Sequence, residues 1–245
     1  MPRSLRASIP RTVLLLFLFL FSAGCSEKLS RQAGLTDAGL YARGQQRADR
    51  GKHEEAAEAF QLLIERFPTS PLAPRAQFGL ASSRMANKEK IEAEVAFDDY
   101  LRLYPGDSRV PDALFLKGDL LFGQILAPGR SQDRTREAIE SYRKFLEKEP
   151  GTERSATAAA RIRELRGRLA LHEKLVVVHY LKRKLYLSAE LRAQRAVAEY
   201  PDTAAAPGLY SLLAEAMEKQ GKKEEASRVL RTLEEKYPQH GGGKR

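Results

Sequence analysis

Several features that are typical of other classes of protein are scarce or absent in this 245-residue chain. Cys25 is the only cysteine, so no disulfide can form within the chain. Tryptophan is absent, while Ala, Leu, Glu, Arg and Lys are abundant, which favours helices. The one long apolar run, residues 13–21, is nine residues, and spanning a bilayer takes roughly 20. We therefore expect an all-α chain with no disulfide framework and no stable membrane span.

Sequence signals of catalysis are also missing. The four histidines are scattered, and HEKLVVVH, which contains His172 and His179, does not have the HExxH spacing of a zinc site. No glycine-rich phosphate loop or nucleophile-elbow sequence occurs, and no pair of acidic residues stands out for acid–base chemistry. We expect no enzyme activity, no cofactor and no metal.

The amino terminus is typical of an exported bacterial protein. Three arginines precede the apolar run, and no acidic residue occurs before Glu27. The sequence Ser22-Ala23-Gly24-Cys25 resembles the lipobox of bacterial lipoproteins, which implies cleavage before Cys25 and lipidation of its thiol. Acyl chains would hold the protein at a membrane, and Ser26 implies the outer one. The alternative is a plain secretory peptide, for which no nearby Ala-x-Ala cleavage site is present.

Charge narrows the possible partners. The chain has 42 basic and 32 acidic residues, a formal charge of +10. Losing the three arginines of the signal segment leaves 39 against 32, or +7. Such a balance in a cytosolic protein would make nucleic acid a candidate partner. Because an exported chain meets no nucleic acid, we expect none here.

Five segments share one spacing: a small residue, an apolar residue four positions later, another after three more, and proline five beyond. They are Ala56-Phe60-Leu63-Pro68, Ala93-Phe97-Tyr100-Pro105, Ala138-Tyr142-Phe145-Pro150, Ala189-Ala193-Ala196-Pro201 and Ala226-Leu230-Leu233-Pro238. Offsets of four and three place these side chains on one helical face, and proline ends the helix. A small or apolar residue lies twelve positions before four of the alanines, and before Ala138 after an insertion: Gly44, Ala81, Gly118, Val177 and Ala214.

This pattern resembles the tetratricopeptide repeat, in which small residues let two antiparallel helices approach closely. The resemblance predicts an all-α superhelix of five helix pairs. Thr69, Ser70, Asp107, Ser108 and Thr203 are candidate helix caps between repeats. No helix breaker occurs from Thr152 to about Lys184, so one long helix should join repeats three and four. The alternative, an ordinary helical bundle, would not place five prolines in phase.

The most specific resemblance is to the BamD family, lipoproteins of the machinery that inserts β-barrel proteins into the outer membrane. It is carried by the insertion GRSQDRTREA and by LALHEKLVVVHYLKRKLYLSAELRAQRAVAEYPDT at residues 169–203. The resemblance implies a non-enzymatic scaffold on the periplasmic face of the outer membrane. Its partners would be the periplasmic domain of BamA, other Bam lipoproteins and the carboxy-terminal segments of unfolded outer-membrane proteins. The alternative is another outer-membrane repeat lipoprotein, such as a pilotin or a recruiter of cell-wall enzymes.

Basic residues are concentrated late in the chain. Residues 25–150 hold 20 basic and 20 acidic side chains, whereas residues 153–195 hold 11 basic and four acidic ones. This cationic zone comprises Arg154, Arg161, Arg163, Arg166, Arg168, Lys182, Arg183, Lys184, Arg192 and Arg195. It is either a solvated helix face or a docking surface for an acidic partner or anionic lipid. Resemblance implies that Arg192 anchors the partner, and we assign the neighbours Tyr180, Arg183 and Arg195 to the same site.

Aromatic residues mark the amino-terminal half. Tyr41, Phe78 and Phe115 lie 37 residues apart at one position of the first helix of repeats one to three. Lys174 and Ser211 occupy it in repeats four and five. Such residues either pack within the fold or line a groove for an aromatic-rich peptide. For the groove, the further candidate contacts are Gln45, Arg75 and Phe122.

These expectations divide the chain as follows. Residues 1–24 are the signal peptide and residues 25–36 a lipidated linker. Residues 37–151 carry repeats one to three and the groove for unfolded outer-membrane proteins, which we call clients. Residues 152–238 carry repeats four and five and dock the partner. Residues 239–245, which include GGG, form a flexible tail.

Overall fold

The structure, a computed structural model, describes residues 36–240; the lipidation site Cys25, the predicted signal peptide and residues 241–245 lie outside that range. Within it there are ten helices and no strand, which confirms the all-α class. The helices are α1 (Asp37–Asp49), α2 (His53–Arg66), α3 (Ala73–Ala86), α4 (Lys90–Leu103), α5 (Val110–Phe122), α6 (Asp133–Lys148), α7 (Glu153–Lys182), α8 (Tyr186–Glu199), α9 (Ala206–Glu218) and α10 (Lys223–Lys236). In chain order they are the five predicted pairs. None of these helices is long and apolar enough to cross a membrane.

Proline ends the second helix of each pair, as the spacing predicts. Helices α2, α4, α6, α8 and α10 each stop two residues before the proline of their repeat. A proline occupies the first turn of α3, α5 and α9, where its missing N–H costs no hydrogen bond.

The predicted caps of these following helices are wrong. Helices α3, α5 and α9 begin later, after Leu72, Arg109 and Ala205, and none has a side-chain cap. Three of these polar side chains, those of Ser70, Asp107 and Thr203, instead hydrogen-bond to the backbone of the turn around the proline. Asp107, for example, accepts hydrogen bonds from the backbone N–H of Arg109 at 2.9 Å and from the Tyr100 hydroxyl at 2.7 Å.

The described residues form two compact units, which divide between Glu89 and Lys90. In the first, Phe60 of α2 is buried between two glycines of the flanking helices. A Cβ at Gly44 of α1 would lie 2.5 Å from the Phe60 ring, and one at Gly79 of α3 would lie 2.7 Å from it. No side chain fits at that separation, so glycine allows α1 and α3 to approach this ring.

The second unit contains α4 to α10. In it, too, a glycine lets a helix approach a buried aromatic ring. Tyr142 of α6 is fully buried, and a Cβ at Gly118 of α5 would lie 2.6 Å from its ring. Helix α7 is the predicted long helix, with 30 residues. It begins with a capping box, in which Thr152 and Ser155 each accept a hydrogen bond from the other's backbone N–H. It packs against α6, α8 and α9.

The repeat positions form the core. All five key alanines are at most 1% exposed, as are Phe97, Tyr142 and Ala193 at the next position. Leu230 of the last repeat is the exception, at 37% exposure, and no further described helix follows α10 to cover it. The periodic pattern therefore identifies the packing face in every repeat but overstates burial at the end of the array.

Candidate functional site

The first unit brings together three of the predicted client-binding residues. The Gln45 amide donates a hydrogen bond to the Tyr41 hydroxyl at 3.1 Å, one turn away on α1. The Arg75 guanidinium of α3 lies 5.1 Å from the centre of the Tyr41 ring. The Tyr41 and Phe60 rings lie 5.8 Å apart between centres, with 52° between their planes. Gln45 and Arg75 are exposed and Tyr41 is half-buried, so this group presents an aromatic ring flanked by a cation and an amide.

Phe78 lies on α3 of the same unit and is half-buried. Phe115 and Phe122 lie on α5, in the second unit. The aromatic series of repeats one to three is thus divided between the two units.

In the second unit, Phe115 belongs to a cluster of rings. It meets Phe145 edge-on at 5.1 Å and Tyr142 edge-on at 5.9 Å, measured between ring centres. The guanidinium of Arg154 lies 4.5 Å from the Phe115 ring centre, and that of Arg161 lies 5.3 Å from the Phe122 ring centre. Both arginines come from the long helix α7, and a guanidinium over an aromatic face is an attractive contact.

These arginines belong to a ladder with a constant offset. Arg154 pairs with Asp112, and Arg161 pairs with Asp119, both on α5. The third rung is Arg168, which donates two hydrogen bonds to the backbone carbonyl of Leu126 at 3.0 and 3.1 Å. Each rung joins residues 42 apart, and successive rungs are separated by seven, about two helical turns. We call these three pairs the arginine ladder.

The middle rung has an additional partner. The Tyr142 hydroxyl donates a hydrogen bond to Asp119 at 2.7 Å and lies 2.7 Å from the Arg161 guanidinium. Burial raises the pKa of Tyr142 above its ordinary value, so the phenol stays protonated and keeps this donor. The network ties α5, α6 and α7 together beside Phe115.

A side chain of α7 also contacts the backbone of the insertion that precedes α6. The His172 Nδ1 atom lies 2.6 Å from the backbone carbonyl of Pro128. The buried Gln132 amide donates to the carbonyls of Ala127 and Arg130 at 3.2 and 3.0 Å. This loop is therefore an ordered part of the third repeat.

The predicted partner-docking residues divide into two groups. Arg192 donates two hydrogen bonds to the buried carboxylate of Glu173 on α7, the second at 2.9 Å, and this contact raises the pKa of the guanidinium. Arg183 and Arg195 are exposed, and neither side chain has an ion pair among the described residues. Tyr180 is half-buried, with its ring 6.2 Å from that of His179.

Sequence reasoning missed the ladder because it treated all basic residues of this region as one surface. Five of the ten cationic-zone side chains form ion pairs or hydrogen bonds with other described residues. They are Arg154, Arg161, Arg166, Arg168 and Arg192. The signal that could have found the ladder is the shared spacing of seven between Arg154, Arg161 and Arg168 and between Asp112 and Asp119.

A cleft of about 870 Å³ lies elsewhere in the second unit, along α6. Its lining includes Ile139, Leu169 and Tyr200 beside charged residues of α4 and α6, and no predicted client-binding residue. We assign it no role in client binding.

Helix pairs with small residues at their contacts, ended by prolines in phase, define a tetratricopeptide-repeat protein. The YfiO family model, described as an outer membrane lipoprotein, matches residues 34–238. This chain belongs to the YfiO family of outer membrane lipoproteins, and this confirms the family that the sequence predicts.

Curated relatives carry the name outer membrane protein assembly factor BamD. The chain is 30% identical to the one from Neisseria meningitidis serogroup A, over 81% of this chain and 78% of the relative. It is 28% identical to the one from Caulobacter vibrioides, over 88% and 72% respectively. Among solved structures, the TPR2AB domain of yeast Sti1 in complex with a pHSP90 is similar at 16% identity, covering 82% of this chain and 78% of that one with a TM-score of 0.42.

Proposed function

We propose that this chain is a non-enzymatic lipoprotein of the β-barrel assembly machinery, held on the periplasmic face of the outer membrane. The observation that carries the proposal is the family match across residues 34–238, together with relatives named as outer membrane protein assembly factors. Membership in an outer membrane lipoprotein family also supports lipidation of Cys25 as the anchor.

Clients would be the carboxy-terminal segments of unfolded outer-membrane proteins. Support comes from two aromatic groups, each paired with arginine: Tyr41 with Arg75 in the first unit, and Phe115 and Phe122 with the ladder in the second. An incoming aromatic side chain can stack on a ring edge or on a guanidinium plane. Gln45 and Phe78 complete the proposed contacts in the first unit.

The partner would be the periplasmic domain of BamA, with other Bam lipoproteins in the same complex. The exposed cations Arg183 and Arg195, with Tyr180 nearby, support a docking surface on α7 and α8. Arg192 would act by holding α7 to α8 through Glu173, because its guanidinium is already paired.

Co-purification tests the proposal. The tagged full chain is expressed in its own organism, and the membranes are solubilised in mild detergent. Recovery of a large β-barrel protein with a periplasmic domain is expected. Recovery of a secretin without that protein would overturn the proposal in favour of a pilotin.

The anchor has its own test. Cys25→Ser removes the thiol that would carry the acyl chains, so the protein should move from the membrane fraction to the soluble periplasm. Cys25→Ala should behave identically, since it also lacks the thiol. Continued sedimentation of both variants with membranes would contradict anchoring at this residue.

A further inference from the structure

Helix α8 presents an apolar stripe to solvent opposite its packed face. Its buried residues, Ala189, Glu190, Ala193, Ala196 and Val197, form one side of the helix. At about 100° per residue, Leu187, Leu191, Arg195 and Ala198 fall together on the other side. Leu187 is 58% exposed and Leu191 is 55% exposed, although leucine side chains favour burial.

Exposed basic residues border this stripe. Lys182, Arg183 and Lys184 precede it, and Arg195 follows one turn after Leu191. All four are exposed, and none has a side-chain ion pair among the described residues. The stripe therefore has a positive border at both ends.

Acidic residues are sparse at this border: Glu199, one turn after Arg195, is the exposed one on α8. Residues 174–189 contain no aspartate or glutamate. Glu190 is buried on the packed side, where it accepts hydrogen bonds from Lys222 at 2.7 and 3.0 Å and from Gln220 at 2.6 Å. An apolar stripe whose border carries an excess of positive charge complements an apolar surface bordered by carboxylates.

We propose that the Leu187–Leu191 stripe is the anchor of the docking surface, and that its partner is a protein with an apolar patch bordered by acidic side chains. The inference rests on the proposed function, which supplies the partner: the periplasmic domain of the barrel protein in the same machinery. It differs from the expectation drawn from the sequence, which placed the anchor at Arg192. Arg192 is a positioning residue that holds α8 to α7.

The width of the stripe favours a protein over a bilayer. A helix that lies in a membrane interface needs one large apolar face along its length. Helix α8 has already buried one face, and the other presents two leucines and an alanine among Ser188, Gln194 and Arg195. Two apolar side chains at fixed positions instead match a pocket of a protein partner.

The test measures binding of the full mature chain, without its acyl groups, to the purified periplasmic domain of the organism's own BamA homologue by titration calorimetry. The variant is Leu187→Ser with Leu191→Ser. The matched control is Ile91→Ser with Val95→Ser, a pair on α4 with the same spacing and exposures of 71% and 56%. A charge variant combines Lys184→Glu with Arg195→Glu, and thermal unfolding verifies that every variant is folded.

We expect the α8 variant to lose about 10- to 100-fold in affinity and the α4 control to stay within about twofold of the wild type. The charge variant should bind more weakly and with a reduced salt dependence. If the wild type binds and the α8 variant binds equally well, the stripe is not the anchor while the proposed function stands. If the wild type does not bind, both fail. Leucine-dependent sedimentation with phosphatidylglycerol vesicles, without protein binding, would also overturn the proposal.

Discussion

Removing the middle rung of the arginine ladder should loosen the long helix from the third repeat. Arg161→Ala deletes the ion pair with Asp119, the contact with the Tyr142 hydroxyl and the guanidinium over Phe122. Asp119 keeps the hydrogen bond from Tyr142, so its carboxylate is not left without a donor.

The cost follows from the exposure of the pair. The Arg161 and Asp119 side chains are 30% and 23% exposed, which lies between a surface pair and a buried one. An exposed pair contributes up to about 1 kcal/mol and a cation–π contact about 0.5–1 kcal/mol, and partial burial increases both. We therefore expect a loss of roughly 1.5–3 kcal/mol in the free energy of unfolding, or about 3–12 °C in melting temperature.

Denaturant and thermal unfolding of the mature chain measure this loss. Arg163→Ala is the matched control, because Arg163 lies two residues away on α7, is exposed and has no ion pair among the described residues. A double-mutant cycle with Asp119→Ala separates the pair from the rest of the network. Equal destabilisation by the two arginine variants, or zero coupling to Asp119, would refute the ladder as a source of stability.

Three further predictions follow from other residues. Phe78→Ala with Phe115→Ala should reduce photocrosslinking to a peptide from the carboxy terminus of an outer-membrane barrel protein, and unchanged crosslinking in the folded variant would exclude these rings as client contacts. Arg192→Glu should cost about 3–5 kcal/mol in the free energy of unfolding because a buried carboxylate loses its partner, and stability equal to the wild type would contradict that pairing. Asp107 has a pKa well below its ordinary value, mainly because Arg109 donates to it, so its contribution to stability is complete above about pH 4 and is lost as the pH falls through the lowered pKa. Asp107→Asn should therefore destabilise the protein at pH 7 by about 1–2 kcal/mol, with a smaller difference near pH 2; a difference independent of pH would count against the carboxylate.

Much of the fold could be predicted because local chemistry determines it. The fixed spacing from alanine to the apolar residues and to proline identified the helix ends and the core positions. Helical periodicity and the effect of proline both depend on residues that are close in sequence. The same reasoning identified α7 from the lack of breakers after Thr152. The predicted helix caps were wrong because Ser70 and Asp107 accept hydrogen bonds from the backbone of the turn instead. Whether such a residue caps a helix depends on where the next helix begins.

The candidate site was less predictable because its contacts are distant in sequence. Arg161 and Asp119 are 42 residues apart, and their pairing depends on how α7 crosses the third repeat. The carboxylate of Glu173, which holds Arg192, is 19 residues from it, so composition alone could not tell a paired arginine from a free one. Exposure separates these cases: Arg192 is half-buried and bound to Glu173, whereas Arg195 is exposed and has no ion pair within residues 36–240.

Depletion of the chain in its own organism tests the central claim most directly. The measurement is the amount of folded outer-membrane barrel protein, read from the heat-dependent mobility of these proteins on gels, against a soluble periplasmic protein as control. We expect the folded barrel proteins to decline while the periplasmic protein stays constant, with recovery when the chain is restored. Unchanged levels of folded barrel proteins after complete depletion would contradict a role in their assembly.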